Sequence, residues 1–451
     1  MQTGIELTKR GMSKGYFRLT GISLATILAA TVVAGCGSSQ SSSSGATTTS
    51  AQAPSSTATG GAGGSGAVTD LSSYTEGGSG AANNSLSPVT LGWVNQQGGP
   101  LGFPNSTAGA EAAVKYVNSY LGGIGGHPLQ LSTCFVVGSE QEGNTCGDQL
   151  VNNASVKAVL FGTLITGDQS FQAVDNGTKP ILMANSISPN DATGKNVFIF
   201  NGNPTSFFGG MAAYARARKV KTVSAIYPQD SQSITGIASM KAALNSVGIQ
   251  LKSVGFDPST TNLLAAATAA GVQTADMVVP LVSIPPNCVS AAQALDTLGV
   301  KAPVVSLGSF CFIAPVAAGL GGSAPIWTQL ASQTNVLATT EPDVKTYMAA
   351  SSRVGLTPVE QSDSNSALAW SLVLTAARFL NEKGGAAATP SALAAAAKAF
   401  TGPMLLGSPQ VKCGEFRAMP GLCGFEMRAF KHTGGQSFTA ESGWMQPIIP
   451  K

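Results

Sequence analysis

Histidine is almost missing from this chain, at two residues in 451. The sequence also contains no GxSxG elbow, no HExxH and no lysine in a phosphate-binding loop. Serine hydrolysis, zinc proteolysis and phosphoryl transfer each lack a necessary part, which argues against an enzyme. No CxxC pair occurs, and only His127 and His432 stand beside the cysteines, so neither a metal nor another cofactor is expected. His127 precedes a proline in a turn, and His432 lies near the last expected strand. With no partner in sequence, both read as surface residues. Beyond the N-terminal region no segment reaches the ~20 uninterrupted apolar residues that a membrane span requires. An excess of one charge is lacking too. Residues 1–35 hold 4 of the 25 basic residues (Lys9, Arg10, Lys14, Arg18) and 1 of the 22 acidic ones (Glu6), so the remainder carries 21 of each. A chain of zero net charge gives no electrostatic footprint for nucleic acid.

What is present begins at the N-terminus. Those four basic residues precede an apolar run of about sixteen residues from Leu19, short for a stable span. The run closes on Val33-Ala34-Gly35-Cys36. This resembles a bacterial lipoprotein signal: small residues admit a peptidase, and the Cys36 thiol accepts a diacylglycerol. The resemblance implies an exported chain starting at Cys36 and held on the outer face of a membrane by acyl chains alone. The alternative is an ordinary secretory signal or a helical anchor, with Cys36 incidental.

Residues 36–87 follow as an expected flexible linker, because Ser, Gly, Thr and Ala bury too little surface to offset their ordering entropy. A coil of about fifty residues has a reach of roughly 40 Å. Within it, Gly61-Ala62-Gly63-Gly64-Ser65-Gly66 matches the dinucleotide fingerprint in letters only, having no strand before it or helix after it. Setting Cys36 aside leaves Cys134, Cys146, Cys288, Cys311, Cys413 and Cys423, an even number in an exported protein. Their spacing favours pairing of sequence neighbours: Cys134–Cys146, Cys288–Cys311 and Cys413–Cys423.

From residue 88 onward, short apolar strands alternate with amphipathic helical stretches, the pattern of parallel sheet covered by helices. Residues 89–94 read as the first strand, 108–120 as a helix, and Gly122-Gly123-Ile124-Gly125-Gly126 as its stop. Strands are expected at 129–135, 158–161, 181–184 and 197–200, then at 222–227, 250–254, 277–281, 304–307 and 336–338. Helices are expected at 207–217, 367–382 and 391–400. So long a stretch is large for one core, and two lobes of similar build are the natural solution.

The ordered set of segments resembles the branched-chain amino-acid-binding proteins of ATP-driven importers, with a type I periplasmic-binding fold. It is carried by Leu91-Gly92-Trp93-Val94-Asn95-Gln96-Gln97-Gly98-Gly99-Pro100, the glycine stop with His127-Pro128, Val156-Lys157-Ala158-Val159-Leu160-Phe161-Gly162, Lys179-Pro180-Ile181-Leu182-Met183-Ala184-Asn185-Ser186, and Asn203-Pro204. The resemblance implies an α/β chain of two Rossmann-like lobes joined by three crossings. Lobe 1 would take residues 88–203 and 336–400, and lobe 2 residues 204–335 and 401–451.

Ligands of open parallel sheets sit beyond the carboxyl ends of strands. That rule selects Gln96 and Gln97 after the first strand, Thr163 and Thr166 in the second loop, and Asn185, Ser186 and Ser188 in the third. Across the cleft it selects Tyr227, Asp230, Ser283 and Ser309. In the family, a hydroxyl and backbone N–H groups of the second and third loops hold an α-carboxylate, and Thr166 fits that hydroxyl; Ile187 stands where a threonine is expected. A lobe 2 acid usually meets the α-ammonium, yet Ser306-Leu307-Gly308-Ser309-Phe310 has none, leaving Asp230 as the substitute. An uncharged or anionic polar solute therefore suits the lining better than a zwitterion.

The function implied is a solute-binding lipoprotein, expected to be a monomer, that delivers an amino acid, amide or small carboxylate to an ABC permease. A ligand sensor working through a membrane receptor is the alternative, and an enzyme the most distant one.

Overall fold

The computed structural model describes residues 67–99 and 102–449. The leader, Cys36 and residues 37–66 of the linker lie outside the described residues.

A short helix α1 (Leu71–Thr75) comes first, started by Asp70, whose carboxylate accepts from the N–H groups of Ser72 and Ser73. Strands and helices then alternate: β1 (Val89–Gln96), α2 (Pro104–Tyr120), β2 (Leu129–Val136), α3 (Glu140–Val151), β3 (Val156–Phe161), α4 (Asp168–Asp175), β4 (Ile181–Met183) and β5 (Val197–Ile199). The five strands form one parallel sheet, ordered β2-β1-β3-β4-β5. All eight residues of β1 are buried, as a strand covered on both faces must be. Because side chains alternate, Leu91 and Trp93 enter the core beneath α2, while Val94 enters the opposite layer with Val159, Phe161 and Phe171. The glycine stop after α2 is sterically required: a Cβ on Gly123 would lie 2.2 Å from the His127 carbonyl oxygen, and its φ is +70°.

The second series runs α5 (Pro204–Ala217), β6 (Thr222–Pro228), α6 (Ser231–Asn245), β7 (Gln250–Phe256), α7 (Leu264–Ala270), β8 (Met277–Pro280), α8 (Pro285–Thr297), β9 (Val305–Leu307), α9 (Ala314–Gly319) and β10 (Thr328–Ala331). Helices α10 (Pro342–Arg353), α11 (Pro358–Gln361), α12 (Ser364–Glu382) and α13 (Pro390–Ala399) return to lobe 1. The strands β11 (Arg428–Gly434) and β12 (Ser437–Ala440) then finish lobe 2. The lobe 2 strands form the groups β7-β6-β8 and β9-β10-β11-β12, joined by a parallel bridge between Val278 and Val304.

The chain crosses between lobes at residues 200–203, 332–335 and 424–427. At the third crossing the backbones are in direct contact, since a Cβ on Gly424 would stand 1.5 Å from the Phe200 carbonyl oxygen.

Three boundaries and one histidine differ from expectation. Residues 67–87, read as the end of the linker, are packed: Val68, Leu71 and Tyr74 recur every third residue and enter the lobe 1 core. The Tyr74 hydroxyl shares a 2.7 Å hydrogen bond with Thr375 Oγ1 on α12. Residues 401–425, assigned to lobe 2, belong to lobe 1. Met404, Leu405, Leu406, Val411 and Cys423 join its core, and Leu422 bridges to Ile199 beside β5. This strap has no periodicity to betray where it packs. Residues 336–338 form a turn, and the strand falls earlier, at β10. His432 is buried between Phe312 and Phe438, not on the surface. The three disulfides join the expected neighbours, Cys134–Cys146, Cys288–Cys311 and Cys413–Cys423. No helix of the described residues is long and apolar enough to cross a membrane.

Candidate functional site

The lobes meet at a hydrogen bond on the strand-end side: Ser309 Oγ, in the loop after β9, lies 3.0 Å from Ser364 Oγ at the start of α12. That contact fixes where the faces of the lobes come together.

On lobe 1 the first loop is scaffolding. Asn95 is fully buried; its Nδ2 donates to the Phe103 carbonyl (2.9 Å) and Thr107 Oγ1 (3.1 Å), and its Oδ1 accepts from the Thr163 N–H (3.0 Å). Gln96 is buried too, its Oε1 accepting from the Ile165 N–H at 2.9 Å. Gln97 Oε1 accepts from Thr107 Oγ1 at 2.8 Å. Trp93 lies in the core beneath, donating to Thr107 Oγ1 at 3.1 Å. The amides of strand β1 thus shape the second loop, leaving less of their own hydrogen-bonding capacity for a ligand.

Thr163 Oγ1 donates to Asn365 Oδ1 at 3.0 Å, and Asn105 Nδ2 donates to Asp363 Oδ2 at 2.9 Å. The start of α12 is therefore part of the site, which the strand-end rule does not select. Its signal in the sequence is Asp363-Ser364-Asn365-Ser366 ahead of an apolar run, an N-cap pattern. Thr166 is half-buried with no hydrogen bond from its side chain among the described residues, and Asn185 is in the same state. Ser186 is buried and spent locally, donating to the Ser188 carbonyl and to Asp191 Oδ2, both at 2.6 Å. Ser188 Oγ caps the following turn by accepting from the Asn190 N–H.

On lobe 2, Tyr227 packs partly against the core. Among the described residues its hydroxyl has no partner, and exposed Ser283 has none either. Asp230 caps α6, accepting from the Ser233 N–H (2.8 Å) and hydroxyl (2.9 Å). The large apolar side chains on these loops are exposed: Ile234, Ile284, Phe310 and Ile313, with Ile165 on lobe 1, are 39–50 % accessible.

Two carboxylates shape the field on lobe 1. Glu140 reaches from α3 to the start of α4, accepting from the N–H groups of Gly167 (3.0 Å) and Ser170 (3.3 Å). These bonds, the Gly167 one foremost, hold its carboxyl below the usual range. Asp191 lies buried behind the third loop, where burial and the charge of Asp168 push its carboxyl up to about 8. At neutral pH it carries a proton beside Asp168.

Two concavities lie elsewhere. One, of about 570 Å³, is framed by the glycine stop and Gly384–Ala387 on lobe 1; the other, of about 330 Å³, by Pro285, Pro286 and Pro315 on lobe 2. Neither is formed by loops from both lobes.

Residues 88–424 match a family model described as periplasmic binding protein. A comparison with curated protein sequences gave no match. Among solved structures, a leucine-binding protein from Thermotoga maritima is 13 % identical with a TM-score of 0.61, covering 80 % of this chain and 99 % of its own. A fatty acid ABC transporter substrate-binding protein from Thermomonospora curvata is 14 % identical at a TM-score of 0.62, covering 83 % and 96 %. A solute-binding protein from Rhodopseudomonas palustris in complex with 4-hydroxybenzoate is 13 % identical at 0.64, covering 80 % and 98 %. At such identities the likeness is one of fold.

Proposed function

The chain belongs to the periplasmic binding protein family, and on that premise we propose that it is the extracytoplasmic solute-binding component of an ABC importer, closing two lobes around one small solute. The observation that carries this reading is the contact of Ser309 with Ser364, which sets the loop after β9 on lobe 2 against the start of α12 on lobe 1. Thr166, Asn185, Tyr227 and Ser283 offer hydrogen-bonding groups there, and exposed isoleucines and Phe310 offer apolar surface. Contacts made to both lobes only when they are closed supply the differential affinity that shifts the open and closed populations. A permease then reads the closed shape. The chain acts as a monomer, tethered outside the membrane through lipidated Cys36.

The solved structures of similar fold include proteins named for leucine, for fatty acids and for complexes with 4-hydroxybenzoate. The solute here is an amino acid, an amide or a small carboxylate. Thermal melting of the full chain against such a panel tests the clamp. A ligand present at a hundredfold its dissociation constant adds about 2.7 kcal/mol and raises the melting temperature by several degrees. A panel without a single shift, together with turnover of any member, would count against binding as the function.

A further inference from the structure

We infer that the solute held between the lobes is uncharged, an amide with an apolar body, and neither a zwitterion nor a carboxylate. This rests on the clamp reading above and narrows it.

The first observation is the absence of cations. Residues 95–99, 102–107, 162–175, 185–194, 227–240, 281–300, 306–316 and 357–377, which make up the loops and helix starts at the lobe junction, contain no lysine or arginine. A carboxylate would have to rely on helix N-termini, and the chain's own acids already occupy them. Glu140 takes the start of α4, Asp230 that of α6, and Asp363 that of α12, accepting from the N–H groups of Asn365 (2.8 Å) and Ser366 (3.3 Å). Helix α8 opens on Pro285-Pro286, which have no N–H to give. An incoming anion would therefore meet fixed negative charge at the starts of α4, α6 and α12, and also beside the start of α2, whose first turn holds no acid of its own but whose Asn105 Nδ2 donates to Asp363 Oδ2 at 2.9 Å.

An ammonium group fares no better. Asp230 and Asp363 are engaged as caps, Asp191 is buried with donors from Ser186, Gln169 and Gln172 on its oxygens, and Asp168 is buried beside it, accepting from Gln169 Nε2 at 3.2 Å. What remains open to a ligand is neutral: the groups of Thr166, Asn185, Tyr227 and Ser283, beside Ile165, Ile234, Ile284, Phe310 and Ile313. Removing that apolar surface from water favours a ligand with a hydrophobic body, and hydroxyl and amide groups orient its single polar end.

The test compares molecules that share a body and differ in charge: 3-methylbutanamide, 3-methylbutanoate, leucine and 3-methylbutylamine, then phenylacetamide, phenylacetate, phenylalanine and phenethylamine. Dissociation constants are measured calorimetrically on the full chain, alongside a native mass spectrum of the protein as purified. An amide is expected to bind at least ~10-fold tighter than its charged counterparts. Ile284→Ser and Phe310→Ser, both at exposed positions, are expected to weaken it by a similar factor without moving the melting temperature. Asp230→Asn keeps a capping oxygen while removing a charge, and should narrow the gap between amide and carboxylate. Tighter or equal binding of any charged member, or a charged molecule carried through purification, overturns the inference and leaves the clamp standing. If no member binds and nothing co-purifies, the clamp reading falls and the inference with it.

Discussion

Burial and the neighbouring charge of Asp168 raise the Asp191 carboxyl to about 8, far above its ordinary 3.8. Between those values the folded chain keeps a proton that the unfolded chain releases. Stability from this group is therefore full at low pH and falls as pH rises through that window, by up to ~1.4 kcal/mol per unit. Melting temperatures measured from pH 5 to 8.5 should decline more steeply for the wild type than for Asp191→Asn, whose amide does not titrate. Parallel curves would mean the pair is not buried together. Single residues also show the limit of what sequence conveys. The strand-end rule finds Thr166, Asn185, Tyr227 and Ser283, which the fold leaves without partners among the described residues. It equally selects Ser186 and Asp230, which are consumed by a turn and a helix cap. Whether a hydroxyl serves the fold or a ligand depends on neighbours far away in sequence, such as Asn365 against Thr163.

Elements were legible where pattern and burial agree. The inner strands β1, β3, β4, β6 and β8 are mostly buried because both faces of each sheet are covered, while the edge strands β2 and β7 are only partly buried, and several helices start on a proline, a capping serine or a capping asparagine. Residues 401–425 were not legible, for they pack as a strap whose side chains fill gaps without a period. Helix α1 was hidden by its composition: within a Ser- and Gly-rich stretch, Val68, Leu71 and Tyr74 are enough to dock one turn. Arg378 fastens it by donating to the Tyr74 carbonyl at 3.2 Å and to Glu76 at 3.0 Å. Tyr74→Ala should destabilise the fold by about 3–5 kcal/mol in urea titration, whereas Tyr74→Phe, losing only the hydroxyl bonded to Thr375, should cost ~1 kcal/mol. An unchanged midpoint for Tyr74→Ala would return residues 67–87 to the linker.

At the scale of the whole molecule, the two lobes are coupled by three crossings and by side chains that span them. Arg428 on β11 meets Glu341, the residue before α10, in a paired contact at 2.8 and 3.0 Å. The Thr334 N–H donates to the Leu406 carbonyl at 2.7 Å beside the second crossing. Such contacts beside the crossings hold the lobes in register. The most direct test measures the distance between spin labels at two exposed positions on opposite lobes, Gln141 at the start of α3 and Ser231 at the start of α6. Closure predicts a shorter and narrower distance distribution once a ligand of calorimetrically established 1:1 binding is saturating. An identical distribution with and without that ligand would contradict it.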